Sequence, residues 1–266
     1  MAYEKYSPFI SDNLTVLSKE TRQYIPFDLN KIQAKFMSEA SGADIILKAR
    51  QQGFSSLILA LFSADFILQD NSLSVVVADI TDNALDLLAR VKGFIHSYEE
   101  KNGFKIPLKY NSKYELENAL NGSRYIIGTA ENTKFGRSKT ITNLHLSEAA
   151  FYPKLKEILA GAGTALVPNG KFIIETTANG FNEFKELWDE SVIGETTFKP
   201  LFYKASEFYE AEFLERERRR LGRLFAQEYP ETPEEAFLNS GEMFFDREAL
   251  GTYIEFINRF EHVARV

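Results

Sequence analysis

With 266 residues, no cysteine and three scattered histidines, the chain is long enough for one large core and has no material for disulfides or a thiolate-ligated metal, and a zinc centre is not expected. A formal net charge of -7 argues against a surface that is basic throughout, although residues 101–139 carry eight Lys or Arg against three Glu and form a local basic region. The opening Met1-Ala2-Tyr3-Glu4-Lys5-Tyr6 lacks the apolar stretch of a secretory signal and no apolar run reaches membrane-spanning length, so an intracellular soluble protein is expected.

In chain order, Tyr24 to Met37 suggests a bend at Pro26 and then a helix capped by Asp28 or Asn30. Gln33 is expected on the exposed side of that helix, where its amide can both donate to and accept from an adenine edge. The stretch the rest is built around follows: Ile45-Ile46-Leu47 reads as a buried strand, Leu57 to Phe62 as an apolar helix, and the turn joining them holds Gly53. A strand, glycine turn and helix in this order make a phosphate-binding loop, with exposed N–H groups and a positive helix terminus for an anion. Ser55, two residues after Gly53, is placed to reach a phosphate-bound Mg²⁺. Against the pattern G-x-x-x-x-G-K-[ST], Lys48 stands at the first glycine and Phe54 at the lysine.

Leu73 to Ala78 is a β-branched strand with Asp79 just past its end and a helix from about 82 to 100, an order that implies parallel strands and a right-handed crossover. Tyr114–Glu117 and Arg124–Ile127 flank Asn121-Gly122, which predicts a hairpin and an antiparallel excursion at the sheet edge. A polar loop, Lys134 to Lys139, leads into a strand from Thr140 to Leu146 that ends in Ser147-Glu148. A carboxylate in that place, opposite a phosphate loop, can orient and help deprotonate an attacking water. His145, inside the strand, is expected to be packed or hydrogen-bonded.

Gly170 to Thr176 is a further strand ending in Thr177-Ala178-Asn179-Gly180, whose small polar groups can sense a γ-phosphate. Beyond it come a helix near 183–190 with Trp188 as a packing residue, a strand at Pro200–Tyr203, and a mixed-charge helix from 207 to 224. Thr232 and Glu235 spell a capping box, and Phe244-Phe245 are expected to dock on the core.

Four motifs in this order, Lys48 to Ser56, Leu144-His145-Leu146-Ser147-Glu148, Thr176 to Gly180 and Tyr229-Pro230-Glu231-Thr232-Pro233-Glu234-Glu235-Ala236-Phe237, resemble the ATPase domain of the large terminase subunit, the motor that packages double-stranded DNA into tailed phage capsids. The resemblance runs from about Pro26 to Phe245 and implies a RecA-like/ASCE P-loop NTPase fold: an α/β domain with a predominantly parallel sheet, helices on both faces and an antiparallel edge extension. It divides the chain into an adenine-side segment (1–44), an ATPase core (45–205) and a helical subdomain or linker (206–266). No length remains for the family's nuclease domain, so DNA cleavage is not expected of this chain.

The resemblance also assigns roles. ATP and Mg²⁺ are the implied substrate and cofactor, with Lys48, Arg50, Gln51, Gln52, Gly53, Phe54, Ser55 and Ser56 at the phosphates and Gln33 at the adenine. Lys48 matches the variant in which the lysine opens the loop. Glu148 falls on the catalytic glutamate, and Ser147 on the aspartate that organises Mg²⁺ through water, a substitution that supplies less charge. Arg137 resembles an arginine finger inserted into a neighbour's site, and Thr176 to Gly180 a coupling motif. The implied partners are double-stranded DNA, the portal protein, the small terminase subunit and further copies of the chain in a ring, working at the procapsid portal in the host cytoplasm. Two other readings stay open: a helicase-like DNA-remodelling ATPase, which would need a second RecA-like domain, and a noncatalytic DNA- or capsid-docking module with a degraded nucleotide site.

Overall fold

The computed structural model describes residues 3–132 and 139–238. An antiparallel ribbon of β1 (Thr15–Leu17) and β2 (Tyr24–Pro26) precedes the main sheet. The sheet itself comprises β3 (Ala43–Lys48), β4 (Leu73–Ala78), β5 (Leu108–Asn111), β6 (Glu115–Asn118), β7 (Arg124–Thr129), β8 (Ile141–Ser147), β9 (Leu166–Thr176) and β10 (Lys199–Tyr203). Their spatial order is β10-β3-β9-β8-β4-β7-β6-β5, with β10 through β7 parallel and β6 and β5 added antiparallel at one edge. The expected hairpin around Asn121-Gly122 is that edge, with Glu117 opposite Arg124.

Alternation along the strands divides the core into two layers. Ile46, Val76 and Ile173 face a layer built with α1 (Ser7–Asn13), α2 (Lys31–Glu39), α3 (Phe54–Leu68) and α4 (Thr81–Asn102). Ile45, Leu47, Val75, Val77, Leu144, Leu146 and Ile174 face the other, built with α5 (Leu155–Ala162), α6 (Glu183–Val192) and α9 (Pro233–Leu238). Strands covered on both faces read as continuous apolar runs, as these do. Helix α3 is apolar all round because the sheet lies on one side and α1 and α4 on the other. The 1–44 segment contributes Tyr3, Ile10, Phe27 and Phe36 to the same layer as α3.

Near the end of the described chain, α7 (Ala211–Leu221) and α8 (Phe225–Glu228) form a small third cluster in which Phe225 and Tyr229 pack with Ala49 and Ala205. Trp188 is buried among α6 and its neighbours, as expected of a packing residue. Thr232 Oγ1 accepts from the Glu235 N–H at 3.1 Å, half of the anticipated capping box, while the Glu235 carboxylate reaches back to the Glu231 N–H at 2.9 Å. Among the described residues no helix is long and apolar enough to cross a membrane. Phe244 and Phe245 lie outside the described residues.

Candidate nucleotide site

Parity on three adjacent strands explains where the polar groups collect. Lys48 shares the face of Ile46, Glu175 the face of Ile173, and His145 and Ser147 lie opposite in parity to Leu144 and Leu146. All four therefore project toward α3 from β3, β9 and β8, near the carboxyl ends where open α/β sheets bind ligands. The ring of His145 meets Phe62 of α3 edge-on at 6.3 Å.

The loop leading into α3 turns at Gly53, whose φ of +82° suits glycine. A Cβ there would come 2.8 Å from Gln33 Nε2. The first turn of α3 has no capping side chain, so the donors that every helix leaves without intrahelical partners remain available to an anion. Phe54 is 1% exposed and packs between Phe36 and Tyr203, at ring separations of 5.7 and 4.8 Å. Its side chain is a core aromatic and is not available for a contact to phosphate.

Gln33 also departs from the exposed position expected of it. It is 3% exposed, forms a capping box with Asn30, and donates from Nε2 to the Gly53 carbonyl at 2.9 Å. The amide braces the loop, leaving one N–H and one lone pair for anything else. Gln52 is buried and donates to the carbonyls of Tyr203 and Lys204, with no hydrogen-bond partner for Oε1. Gln51, at φ +61°, accepts from Lys19 at 2.8 Å, and Ser56 Oγ accepts from Arg90 at 3.5 Å. Arg50 turns away to Glu228, 2.8 Å from its carboxylate, while its backbone N–H donates to the Glu228 carbonyl.

Lys48 is 4% exposed, with Nζ 3.3 Å from Glu148 Oε1 and 3.2 Å from Glu175 Oε2. Burial disfavours its charge, but the Glu148 and Glu175 carboxylates outweigh burial and hold the ammonium above the ordinary lysine range. Glu175 is fully buried. Burial pushes its carboxyl up, yet the charge of Lys48 and the hydrogen bonds from His145 and Ser147 prevail and hold it well below the usual carboxylate range. Its Oε1 accepts from Ser55 Oγ and Ser147 Oγ, each at 2.8 Å, and meets His145 Nε2 at 3.3 Å. Its Oε2 has the Lys48 ammonium, 3.2 Å away, as its partner.

Glu148 adopts the left-handed backbone conformation at φ +58°, uncommon for a residue with a long side chain and a feature that clusters at functional sites. Its side chain is one-third exposed. Oε2 lies 3.4 Å from both Thr176 Oγ1 and the Thr177 N–H, so the carboxylate touches the 176–180 turn directly. That turn is tied to the segment after Glu148: Ala150 N–H donates to Thr176 Oγ1, and Asn179 and Asn182 both donate to the Ala150 carbonyl. Gln227 of α8 donates to the Ala178 carbonyl at 3.4 Å, so α8 spans from Arg50 to the turn.

The structure thus gathers Lys48, Ser55, Ser147 and Glu148 into one cluster and adds Glu175, to which no role was attached from sequence. Its position within an apolar strand concealed it, and its partners come from other strands and from the loop. Hydroxyl and carboxylate oxygens of Ser55, Ser147 and Glu175 facing one another are hard donors of the type a Mg²⁺ site uses. Arg137 lies outside the described residues.

No protein-family profile and no curated protein matches the chain. Solved structures do. The ATPase domain of the Thermus phage P74-26 large terminase superposes with a TM-score of 0.59 at 17% identity, covering 77% of this chain and 93% of that one. The chain has the fold of a large terminase ATPase domain. The HK97 bacteriophage large terminase gives a TM-score of 0.61 at 18% identity over 98% of this chain and 54% of that one. The large terminase of a thermophilic bacteriophage, in complex with ATP-γ-S, gives 0.56 at 13% identity, covering 76% and 51%. The chain therefore spans about half the length of these last two proteins. The RecA-like/ASCE architecture expected from sequence is the one observed, with β9 inserted between the loop strand β3 and the Glu148 strand β8.

Proposed function

We propose that this chain is the ATPase domain of a viral DNA-packaging motor, coupling hydrolysis of Mg-ATP to movement of double-stranded DNA into a procapsid. The observation that supports the reading most directly is the meeting of Lys48, Glu148 and the open first turn of α3, within a terminase-like fold. The Gly53–Ser56 turn cradles the phosphates with backbone N–H groups and the helix dipole. Lys48 supplies the cation at the loop's opening, and an arriving phosphate competes with Glu148 for it. Release of that ion pair frees the Glu148 carboxylate to orient water for in-line attack.

Ser55 would hold the Mg²⁺ and Ser147 would act on it through water; the ion would supply charge neutralisation to the phosphates. The contacts of Glu148 with Thr176 and Thr177 carry its state into the 176–180 turn and, through Ala178 and Gln227, to α8. Arg137 completes the site of a neighbouring copy in a ring that engages the portal protein and the small terminase subunit at the procapsid, in the host cytoplasm.

Three measurements test this reading. Titration calorimetry with ATP-γ-S and Mg²⁺ detects binding if the site is functional; no binding overturns the ATPase and leaves a docking module. Steady-state hydrolysis at saturating ATP falls at least about tenfold in Glu148→Gln, and unchanged turnover removes the assigned role. Mixing Arg137→Ala with Glu148→Gln subunits restores part of the activity if the arginine acts between copies.

A further inference from the structure

We propose that Glu175 performs the task that the aspartate at the end of the Walker B strand performs in P-loop ATPases, organising the nucleotide-bound Mg²⁺ from one strand away. The inference rests on the nucleotide-site reading above and names the residue that completes it. In such sites the divalent ion is held by the loop Ser/Thr and a carboxylate on the Walker B strand. Here that position is Ser147, a neutral hydroxyl, and Glu175 is its registered partner on β9. The Glu175 carboxylate spans the gap: the same oxygen accepts from the loop hydroxyl, Ser55, and from Ser147, both at 2.8 Å.

Charge supports the substitution. With Glu175 counted, the site holds one lysine and two carboxylates, the same inventory as a P-loop site with its lysine, aspartate and glutamate. A carboxylate buried completely in a sheet is costly unless paired, and Lys48 Nζ, 3.2 Å from Oε2, supplies that pairing. His145 fixes the carboxylate from the side away from the loop, in the manner of the outer groups that orient metal-binding carboxylates. The small side chain of Ser147 leaves room for the longer glutamate and donates to it at 2.8 Å.

The test separates metal organisation from nucleotide binding. The affinity for ADP is measured by calorimetry with Mg²⁺ and with EDTA, and Mn²⁺ bound with ADP is followed by electron paramagnetic resonance. In wild type, Mg²⁺ tightens ADP. In Glu175→Gln the tightening falls by about tenfold or more and the Mn²⁺ signal of the ternary complex weakens, while ADP affinity in EDTA does not fall, because Lys48 remains and loses a competing carboxylate. The exchange variant Ser147→Asp with Glu175→Ser keeps one carboxylate beside Lys48 and recovers most of the Mg²⁺ effect. It also serves where Glu175→Gln folds poorly. Full Mg²⁺ dependence in folded Glu175→Gln, or failure of the exchange variant to recover it, overturns the assignment while leaving the nucleotide site standing. Wild type that binds no ADP under either condition overturns both.

Discussion

Helix α3 has a buried carboxylate–lysine network near each end, and the two differ in how completely they are satisfied. Near the C-terminal end, Asp65 accepts the Tyr6 hydroxyl at 2.7 Å on one oxygen and Asn143 and Lys171 on the other, and Asn143 is further held by Ser74. Neither oxygen of Asp65 lacks a donor. Near the N-terminal end, His145 Nδ1 and Gln52 Oε1 have no protein donor or acceptor and Glu175 Oε2 has only the Lys48 ammonium at 3.2 Å; the two further orphaned buried side-chain atoms among the described residues are the Tyr3 and Tyr125 hydroxyls. Closed networks rigidify a core, whereas a buried polar atom left without a partner in a native protein calls for a ligand or a function. Asp65 and Lys171 thus fasten α3 to the sheet, while Lys48 and Glu175 are held ready.

Removing the lysine beside Glu175 is the strongest way to break this contrast. Lys48→Met leaves Glu175 buried without its cation, and unfolding free energy falls by about 3–5 kcal/mol. Adding Glu175→Gln to it recovers much of the loss, because the uncompensated charge disappears. Denaturant titration of the single and double variants checks this, and strictly additive losses would mean the two groups are not coupled.

Asp65→Ala removes the acceptor of three donors, one of them a lysine with some access to water, and costs about 2–3 kcal/mol. ADP affinity and its Mg²⁺ dependence stay at the wild-type value. A change in Mg²⁺ dependence would show that both ends of α3 belong to one site. Gly53→Ala is smaller in stability, about 1–2 kcal/mol, since it forces a side chain onto a positive φ and into the Gln33 amide. Its effect on nucleotide affinity exceeds its effect on stability, because the strain falls on the loop itself.

The layered fold was legible because each of its causes is local: β-branched runs at 45–47, 73–78 and 170–176, an Asn-Gly hairpin, and Gly53 between a strand and an apolar helix. Glu148 could be marked for the same reason, as a residue at the end of such a run, and Lys48 through the resemblance of its loop to the variant that opens with a lysine. Glu175 could not, since its partners Ser55, Ser147 and His145 are brought to it by strand order, and no spacing along the chain reports that β9 lies between β3 and β8. Gln33 was placed on the wrong side because periodicity in a nine-residue helix with few apolar positions does not fix which face is covered. Phe54 illustrates the converse: a loop motif fixes backbone position, but the path of the side chain depends on Phe36 and Tyr203, which come from distant elements.

Acid titration sharpens the contrast most finely. Glu175 is held ionised in the folded protein well below the ordinary carboxylate range, whereas in the unfolded chain it takes up a proton at about pH 4.3, as a free glutamate side chain does. Below that pH the unfolded state binds one more proton at this residue than the folded state does, so the contribution of Glu175 is present above it and is lost as pH falls. One proton corresponds to a slope of about 1.4 kcal/mol per pH unit. Lys48 has the opposite sign: its folded value is raised, so its contribution is intact through neutral and acid pH and is lost only as pH rises beyond the ordinary lysine range. Unfolding free energies from pH 6 down to pH 3 should therefore decline less steeply in Glu175→Gln than in wild type, by about that slope below pH 4. Parallel curves would mean that Glu175 is protonated in the folded state, and the ion pair that distinguishes this end of α3 would have to be withdrawn.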